Sequence, residues 1–80
     1  MSPDAILAKL TDVFRDVLDE DGVVLSRGTT AKDVAGWDSL SHVRLVVAVE
    51  QEFGIRFDTA EISGLANVGE FVNVIARKLG

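Results

Sequence analysis

Apolar residues recur at helical spacing along most of this 80-residue chain, and that periodicity constrains its fold more than any other feature. No stretch alternates apolar and polar residues in the way that indicates a strand, and the chain has no internal repeat. Hydrophobic residues make up 48% of the sequence, which is enough for a packed core. The sequence therefore predicts a single all-α domain that covers residues 1–80.

The first predicted helix begins at Ser2 and Pro3, because a serine oxygen can cap a helix and proline suits its first position. The helix is expected to end before Gly22, where the apolar pattern stops. One stripe along it identifies the face that packs against the rest of the protein. That stripe consists of Ile6, Leu7, Leu10, Val13, Phe14, Val17 and Leu18.

A long segment without a sustained period follows the first helix. Within it we expect Val23, Val24 and Leu25 to fold back onto the bundle. Residues 30–33 have a threonine followed three residues later by an acid, which predicts a single turn. A connection of this length is unusual in so small a domain, and we interpret it as functional because of the residues that follow it.

The second predicted helix begins at Asp38, a strong N-cap residue, and ends at Gly54, which suits a glycine C-cap. Apolar residues cover so much of its circumference that it is expected to lie at the centre of the bundle. We predict that its buried face begins at Leu40. The residues assigned to that face are Leu40, Val43, Val46, Val47 and Phe53, widened by Leu45, Ala48 and Val49.

Two further helices are predicted from N-terminal capping patterns. Asp58 and Glu61 have the spacing of a capping box that opens a short third helix, and Asn67 and Glu70 open a fourth in the same way. The stripe of the fourth helix is formed by Val68, Phe71, Val72, Ile75, Ala76 and Leu79. The predicted fold is an all-α four-helix bundle with a long loop after helix 1 and a short helix 3.

The composition argues against several classes of site and partner. The chain has no cysteine and one histidine, which disfavours disulfides, thiolate zinc sites and transition-metal centres. Its net charge of -5 disfavours binding to nucleic acid or anionic membranes and favours partners with basic surfaces. No signal-peptide pattern and no membrane-length apolar run is present, so we expect a monomeric protein of the cytoplasm.

Ser39 stands at the start of the second predicted helix, where backbone N–H groups lack partners and the helix carries partial positive charge. A phosphate attached to this serine would be stabilised there. On local sequence alone the simpler interpretation is favoured, namely an ordinary helix residue beside the Asp38 cap. Asp-Ser-Leu is a short tripeptide and by itself carries little information.

The segments around this tripeptide carry more information. Residues 36–40 read Gly-Trp-Asp-Ser-Leu, and residues 50–57 read Glu-Gln-Glu-Phe-Gly-Ile-Arg-Phe. Together with the order of the predicted helices, they make the whole chain resemble the acyl carrier protein family. The resemblance implies a protein that is not an enzyme and that carries 4′-phosphopantetheine on Ser39. The thiol of that group holds acyl groups as thioesters.

The same resemblance implies the partners of the protein. A phosphopantetheinyl transferase, usually with magnesium, moves the group from coenzyme A to the serine. An acyltransferase or adenylating ligase then loads the thiol, and a ketosynthase or other downstream synthase receives the acyl group. Asp38 is expected to position the serine, and Leu40 to lie buried beneath it or to contact the transferase. Candidate docking residues are Trp37, His42, Val43, Arg44, Glu50, Asp58 and Glu61.

The residues after Ser39 differ from those of familiar fatty-acid carriers. Ser41, His42 and Arg44 occupy positions where acids are common in those proteins. The segment Asp-Ser-Leu-Ser-His resembles instead discrete carriers that hold a small extender unit, which points to a polyketide or related specialised pathway. We expect the apolar residues of the second helix to pack as core rather than to line an acyl cavity, which favours small or polar acyl groups.

Two alternatives stay open at this stage. Ser39 and His42 could belong to a serine hydrolase, although such an enzyme needs an orienting third group and an oxyanion hole, and Asp38 is already assigned as a cap. The bundle could also be an interaction module that is never modified. For His42 the simpler expectation is a solvated residue near the attachment site, and for Trp37 a loop anchor that packs on the bundle.

Overall fold

The computed structural model describes all 80 residues, Met1–Gly80, and contains four helices. These are α1 (Pro3–Leu18), α2 (Ser39–Phe53), α3 (Thr59–Ser63) and α4 (Val68–Leu79). The four-helix fold with a long loop after α1 and a short α3 is therefore confirmed. No helix is long and apolar enough to cross a membrane.

The helices begin where the capping residues of the sequence predict. Ser2 Oγ accepts from the N–H of Ala5 at the start of α1, and Asp58 exchanges hydrogen bonds with Glu61 at the start of α3. In α4 the expected box is one-sided, because the Asn67 side chain accepts from the N–H of Glu70, but the N–H of Asn67 does not donate to the Glu70 side chain. These bonds act within a few residues of the chain, which is why the sequence predicts the helix starts well.

The core is one cluster of 19 buried apolar residues from every helix except α3 and from the connections. An aromatic group lies at its centre. The ring centroid of Phe14 is 5.0 Å from that of Trp37 and 5.9 Å from that of Phe71. Trp37 is 5% exposed, so its interpretation as a loop anchor is confirmed.

The predicted buried face of α2 is wrong for three of its residues. Leu40, Val43 and Val47 are 72%, 57% and 47% exposed, whereas the helix packs through a different set of side chains. The buried set is Leu45, Val46, Val49 and Phe53. Both sets follow helical spacing, but only one side of α2 contacts the other helices. The exposed apolar residues form a stripe at positions i, i+3 and i+7.

The loop between α1 and α2 packs on the bundle through alternate residues. Val23 and Leu25 are buried, but Val24 is 78% exposed, which corrects the expectation that all three fold inward. Successive side chains of an extended segment point to opposite sides, so a run of three cannot all reach the core. Residues 30–33 form the expected turn, closed by the Asp33 carboxylate accepting from the Thr30 N–H at 3.0 Å.

The same loop is fastened to the start of α4. The N–H of Val68 donates to the carbonyl oxygen of Thr29 at 2.9 Å, and the N–H of Gly69 donates to that of Arg27 at 2.8 Å. A side chain at position 69 would have no space, because its Cβ would lie 2.9 Å from the Arg27 carbonyl oxygen. Glycine is therefore required for this close approach of two backbones.

We expect Gly69→Ala to lower the free energy of unfolding by about 1–3 kcal/mol, because the Cβ forces the Arg27 carbonyl away and weakens the bond that it accepts. The better helix propensity of alanine offsets only part of this loss. Urea unfolding measures the effect. Gly28→Ala is the matched control, since a Cβ there meets no atom within 4 Å. Equal stability of the two variants would contradict the prediction.

Candidate functional site

The N-terminus of α2 is fixed by a reciprocal capping box. Asp38 Oδ1 accepts from the N–H groups of Leu40 and Ser41 at 3.1 and 3.0 Å, and Ser41 Oγ accepts from the Asp38 N–H at 2.8 Å. The hydroxyl of Ser41 donates in turn to the carbonyl oxygen of Gly36, whose φ of 87° is suited to glycine. The last residues of the loop and the first turn of α2 are thus held in one arrangement.

These hydrogen bonds also set the ionisation of the cap. The pKa of Asp38 lies below its ordinary value, mainly because the backbone N–H of Ser41 donates to the carboxylate, with further donation from the Leu40 N–H. Asp38 is therefore a carboxylate at neutral pH. It is exposed and still positions the first turn.

Ser39 follows the cap directly, and its side chain is exposed. Its hydroxyl makes no hydrogen bond within the protein, and its own N–H likewise has no protein acceptor. The Oγ atom is therefore accessible and uncommitted. It lies on a helix turn whose position is fixed by its neighbours rather than by the serine itself.

The expectation that free N–H groups would surround a phosphate at this point needs one correction. The N–H groups of Leu40 and Ser41 are already bonded to the Asp38 carboxylate. Only the N–H of Ser39 remains as a free donor in this turn, together with the positive end of the helix dipole. The chemistry of the turn still fits a phosphodiester on Ser39, because the hydroxyl is exposed and makes no hydrogen bond within the protein.

An open cleft of about 550 Å³ lies beside Ser39, between the start of α2 and the end of α3. Ile62, Leu65 and Ala66 give it an apolar wall. Trp37 and His42 also line it, on the side of the core. A flexible group attached to Ser39 would therefore find an apolar surface within reach.

His42 is not the solvated residue that the sequence suggests. It is half-buried, and its Nδ1 accepts from Trp37 Nε1–H at 3.0 Å. Because Nδ1 is an acceptor, the ring proton is assigned to Nε2, which donates to the carbonyl oxygen of Ile62 at 3.3 Å. Neither ring nitrogen is free to take a proton from Ser39, so the hydrolase arrangement is absent.

Trp37 offers no surface for docking. The ring is 5% exposed and lies nearly parallel to that of His42, with centroids 6.1 Å apart and planes inclined by 16°. Burial at this level disfavours the docking role predicted for this residue, which stays a prediction. Its contribution to the site is indirect, because it supplies the hydrogen bond that orients His42.

The three acids predicted to dock partners also make structural contacts. Glu50 Oε2 accepts from the N–H of Phe57 at 2.8 Å and so holds the connection between α2 and α3. Asp58 caps α3, and Glu61 Oε1 lies 2.8 Å from Lys78 Nζ of α4. The hydrogen bond from Lys78 is the main reason why the pKa of Glu61 is lowered.

The exposed side of α2 is apolar and basic. We call Leu40, Val43, Arg44 and Val47 the outer α2 face; all four are exposed, and Arg44 has no ion-pair partner. Val47 was not among the predicted docking residues. The signal that identifies it is its spacing from Leu40 and Val43, which is that of one helix face. Large exposed apolar side chains in a group are typical of interaction surfaces.

The lowered pKa of Asp38 predicts how the stability of the site depends on pH. Because the folded pKa is below the unfolded one, the carboxylate stabilises the fold at neutral pH, and this contribution is lost as pH falls through the folded pKa. Asp38→Ala should therefore unfold at a lower temperature than the wild type at neutral pH. The difference should shrink below about pH 4.

Thermal unfolding followed by circular dichroism at several pH values measures this effect. Asp38→Asn is the matched control, because an amide oxygen can still accept from the first-turn N–H groups but does not titrate over this range. Its stability should vary less with pH than that of the wild type. A gap between wild type and Asp38→Ala that stays constant from neutral to acid pH would contradict the assignment.

Comparison with known proteins shows the family to which this four-helix chain is related. The family model described as "Phosphopantetheine attachment site" matches residues 8–75. The chain is 33% identical to an acyl carrier protein of Thermotoga maritima over 99% of this chain and 98% of the relative, and 37% identical to one of Prochlorococcus marinus over the whole of both.

The solution structure of holo acyl carrier protein from Geobacter metallireducens is also similar. It superposes with a TM-score of 0.87 at 43% identity, covering 92% of this chain and 85% of that one. Four helices of the same arrangement, a match to the attachment-site family and relatives of the same length lead to one conclusion. The chain belongs to the acyl carrier protein family, and it is a carrier rather than an enzyme, with covalently attached 4′-phosphopantetheine as its cofactor.

Proposed function

We propose that Ser39 is the residue that carries 4′-phosphopantetheine. The observation that carries this proposal is the Ser39 hydroxyl, which is exposed and free of hydrogen bonds at the fixed N-terminus of α2. Ser41 in the same turn is unsuited, because its hydroxyl is bonded to Asp38 and Gly36. Ser63 across the cleft bonds to the carbonyl oxygen of Thr59.

The residues around Ser39 have separate tasks in this proposal. Asp38 holds the first turn, so that the Oγ atom is presented in one position to the transferase. The free N–H of Ser39 and the positive end of the helix partly offset the charge of a phosphodiester. When bound, the phosphopantetheine group supplies a thiol on which acyl groups are held as thioesters. Tethering raises the effective concentration of those groups at a partner enzyme.

Members of this family interact with phosphopantetheinyl transferases and acyl-handling enzymes. For this chain we propose an acyltransferase or adenylating ligase as the loading enzyme and a ketosynthase or other synthase downstream, with the cytoplasm as the location. The outer α2 face is the proposed docking surface, because it adjoins Ser39 and its apolar residues are exposed. Val43 and Arg44 keep their predicted roles there.

The proposed pathway is polyketide or related specialised biosynthesis, with a small extender unit as the cargo. The support is the charge of the outer α2 face. Arg44 stands on it with no compensating acid, and Ser41 and His42 beside it are bonded within the protein. Enzymes that recognise acidic carriers would meet repulsion at Arg44.

The first test is the intact mass of the apo protein after incubation with coenzyme A, magnesium and a broad-specificity phosphopantetheinyl transferase. We expect the wild type to gain one phosphopantetheine group and Ser39→Ala to gain none, because only Ser39 offers a free hydroxyl at the site. Ser63→Ala, which alters the opposite side of the cleft, is the control and should be modified like the wild type. Modification of Ser39→Ala would refute the assignment.

The second test addresses docking and pathway. With the malonyl transferase of a fatty-acid synthase and malonyl-coenzyme A, we expect the holo wild type to be a poor substrate. Arg44→Glu should raise kcat/KM by about two- to fivefold, since it replaces a repulsive exposed charge contact by an attractive one. Arg27→Glu makes the same change of charge on the loop after α1 and should have little effect.

Leu40→Ser serves as a second probe in the same assay. It should lower kcat/KM without lowering stability, because the side chain is largely exposed in the free protein. Val24→Ser, another exposed apolar residue but distant in sequence from α2, is its control. The pathway proposal would be refuted if the wild type had the kcat/KM of a fatty-acid carrier and Arg44→Glu left that value unchanged.

A further inference from the structure

His42 lies between the surface cleft and the buried aromatic residues. It lines the cleft on one side, and on the other its ring centroid is 5.8 Å from that of Phe71 and 6.1 Å from that of Trp37. Phe71 is completely buried. Any group that moved from the cleft towards the core at this point would have to displace the imidazole.

Both ring nitrogens of His42 hold it in that position. Nδ1 is bonded to the indole N–H of Trp37 at 3.0 Å, and Nε2 is bonded to the carbonyl oxygen of Ile62 at 3.3 Å. The first bond ties α2 to the loop after α1, and the second ties α2 to α3. A ring held at both ends is a rigid obstacle, unlike a flexible side chain of similar volume.

The bond to Ile62 matters because α3 is weakly packed. This helix has five residues, and none of them is buried. Its remaining contacts with the bundle are those of Ile62, which is half-buried against the core, and the pair between Glu61 and Lys78. An element with few buried contacts has a low free energy of local opening. A single hydrogen bond to its last turn therefore contributes a larger share of that free energy than it would in the core.

We propose that His42 is a specificity-determining residue of the carrier, which keeps α2 and α3 closed and confines the acyl group to the open cleft. This inference rests on the proposed attachment at Ser39. A long alkyl chain gains free energy with each methylene that it buries, so a path to the core would favour long chains. Closure of that path removes the gain. The cargo class is then short acyl groups, which need no burial.

The cleft itself suits such groups. Its apolar wall is short, formed by Ile62, Leu65 and Ala66, and it stays open to solvent on the other side. A thioester lying there remains accessible to a partner enzyme and to small nucleophiles in solution. The accessibility of the thioester is therefore a measurable consequence of whether the chain stays outside.

The test compares two thioesters on the intact protein. Acetyl- and octanoyl-phosphopantetheine are attached with a broad-specificity transferase from the corresponding coenzyme A esters, and cleavage by hydroxylamine is followed by mass. On the wild type we expect equal rates for the two. On His42→Ala the octanoyl thioester should be cleaved roughly tenfold more slowly than the acetyl one, since two ordinary hydrogen bonds no longer oppose opening.

A second readout reports on the core directly. The indole N–H resonance of Trp37 should be the same in acetyl and octanoyl forms of the wild type. In His42→Ala it should differ between the two, because the longer chain would lie against the ring. A purely structural role for His42 would speed cleavage of both thioesters alike and would not depend on chain length.

Matched variants keep the test informative if His42→Ala does not fold. Glutamine can place a donor where Nε2 stands, and asparagine can place an acceptor where Nδ1 stands. We expect His42→Gln to behave as the wild type, because it keeps the bond to Ile62, and His42→Asn to protect the octanoyl thioester. Val24→Ser, which lies on the loop after α1 and outside the cleft, should leave both rates unchanged.

The outcomes separate this inference from the proposal on which it depends. If no acyl-phosphopantetheine is attached, which the mass shows before any cleavage, the proposed attachment at Ser39 fails. If attachment succeeds and the wild type already protects the octanoyl thioester, His42 does not close the path. Equal cleavage of both thioesters on His42→Asn and on His42→Ala would also overturn the role assigned to His42.

Discussion

The packing of Phe71 is the interaction on which the rest of the structure depends. This residue of α4 is fully buried and contacts an aromatic ring from each other part of the molecule. Its centroid lies 5.9 Å from Phe14 of α1, 6.2 Å from Trp37 of the first loop, 5.8 Å from His42 of α2 and 6.3 Å from Phe57 before α3. Aromatic residues bury much surface, so one such centre can hold an 80-residue chain together.

The serine that we propose as the attachment point is positioned by this aromatic centre without being part of it. Trp37 is anchored in the core and leads directly to Asp38, whose carboxylate binds the first turn of α2. Ser39 is thereby held in place by residues on both sides of it. Its own hydroxyl remains free, which is what a covalent attachment point requires. A carrier needs no catalytic pocket, because the chemistry takes place in the enzymes that it visits.

The acids around α3 have structural contacts, whereas the outer α2 face carries a different set of exposed side chains. The carboxylates of Glu50, Asp58 and Glu61 are engaged in the connections around α3, where they accept backbone N–H groups or pair with Lys78. The outer α2 face offers apolar side chains and Arg44 instead. A partner that docks beside Ser39 would therefore meet a different surface from the one suggested by the net charge of -5. Net charge describes the whole molecule, whereas docking depends on one face.

The sequence by itself determined the starts of the helices and their number. Capping by Ser2, Asp38, Asp58 and Asn67 acts over two or three residues, so it is visible in the order of residues alone. The position of the serine at a helix N-terminus followed from the same local rule.

Only the tertiary structure decided which side of α2 is buried and what His42 does. Both sides of that helix are apolar at helical spacing, and the side that is buried is the one that packs against α1 and the core. The partner of His42 Nε2 is a carbonyl group twenty residues away in sequence. Contacts of that kind arise from packing of distant segments, and no pattern within a single helix records them.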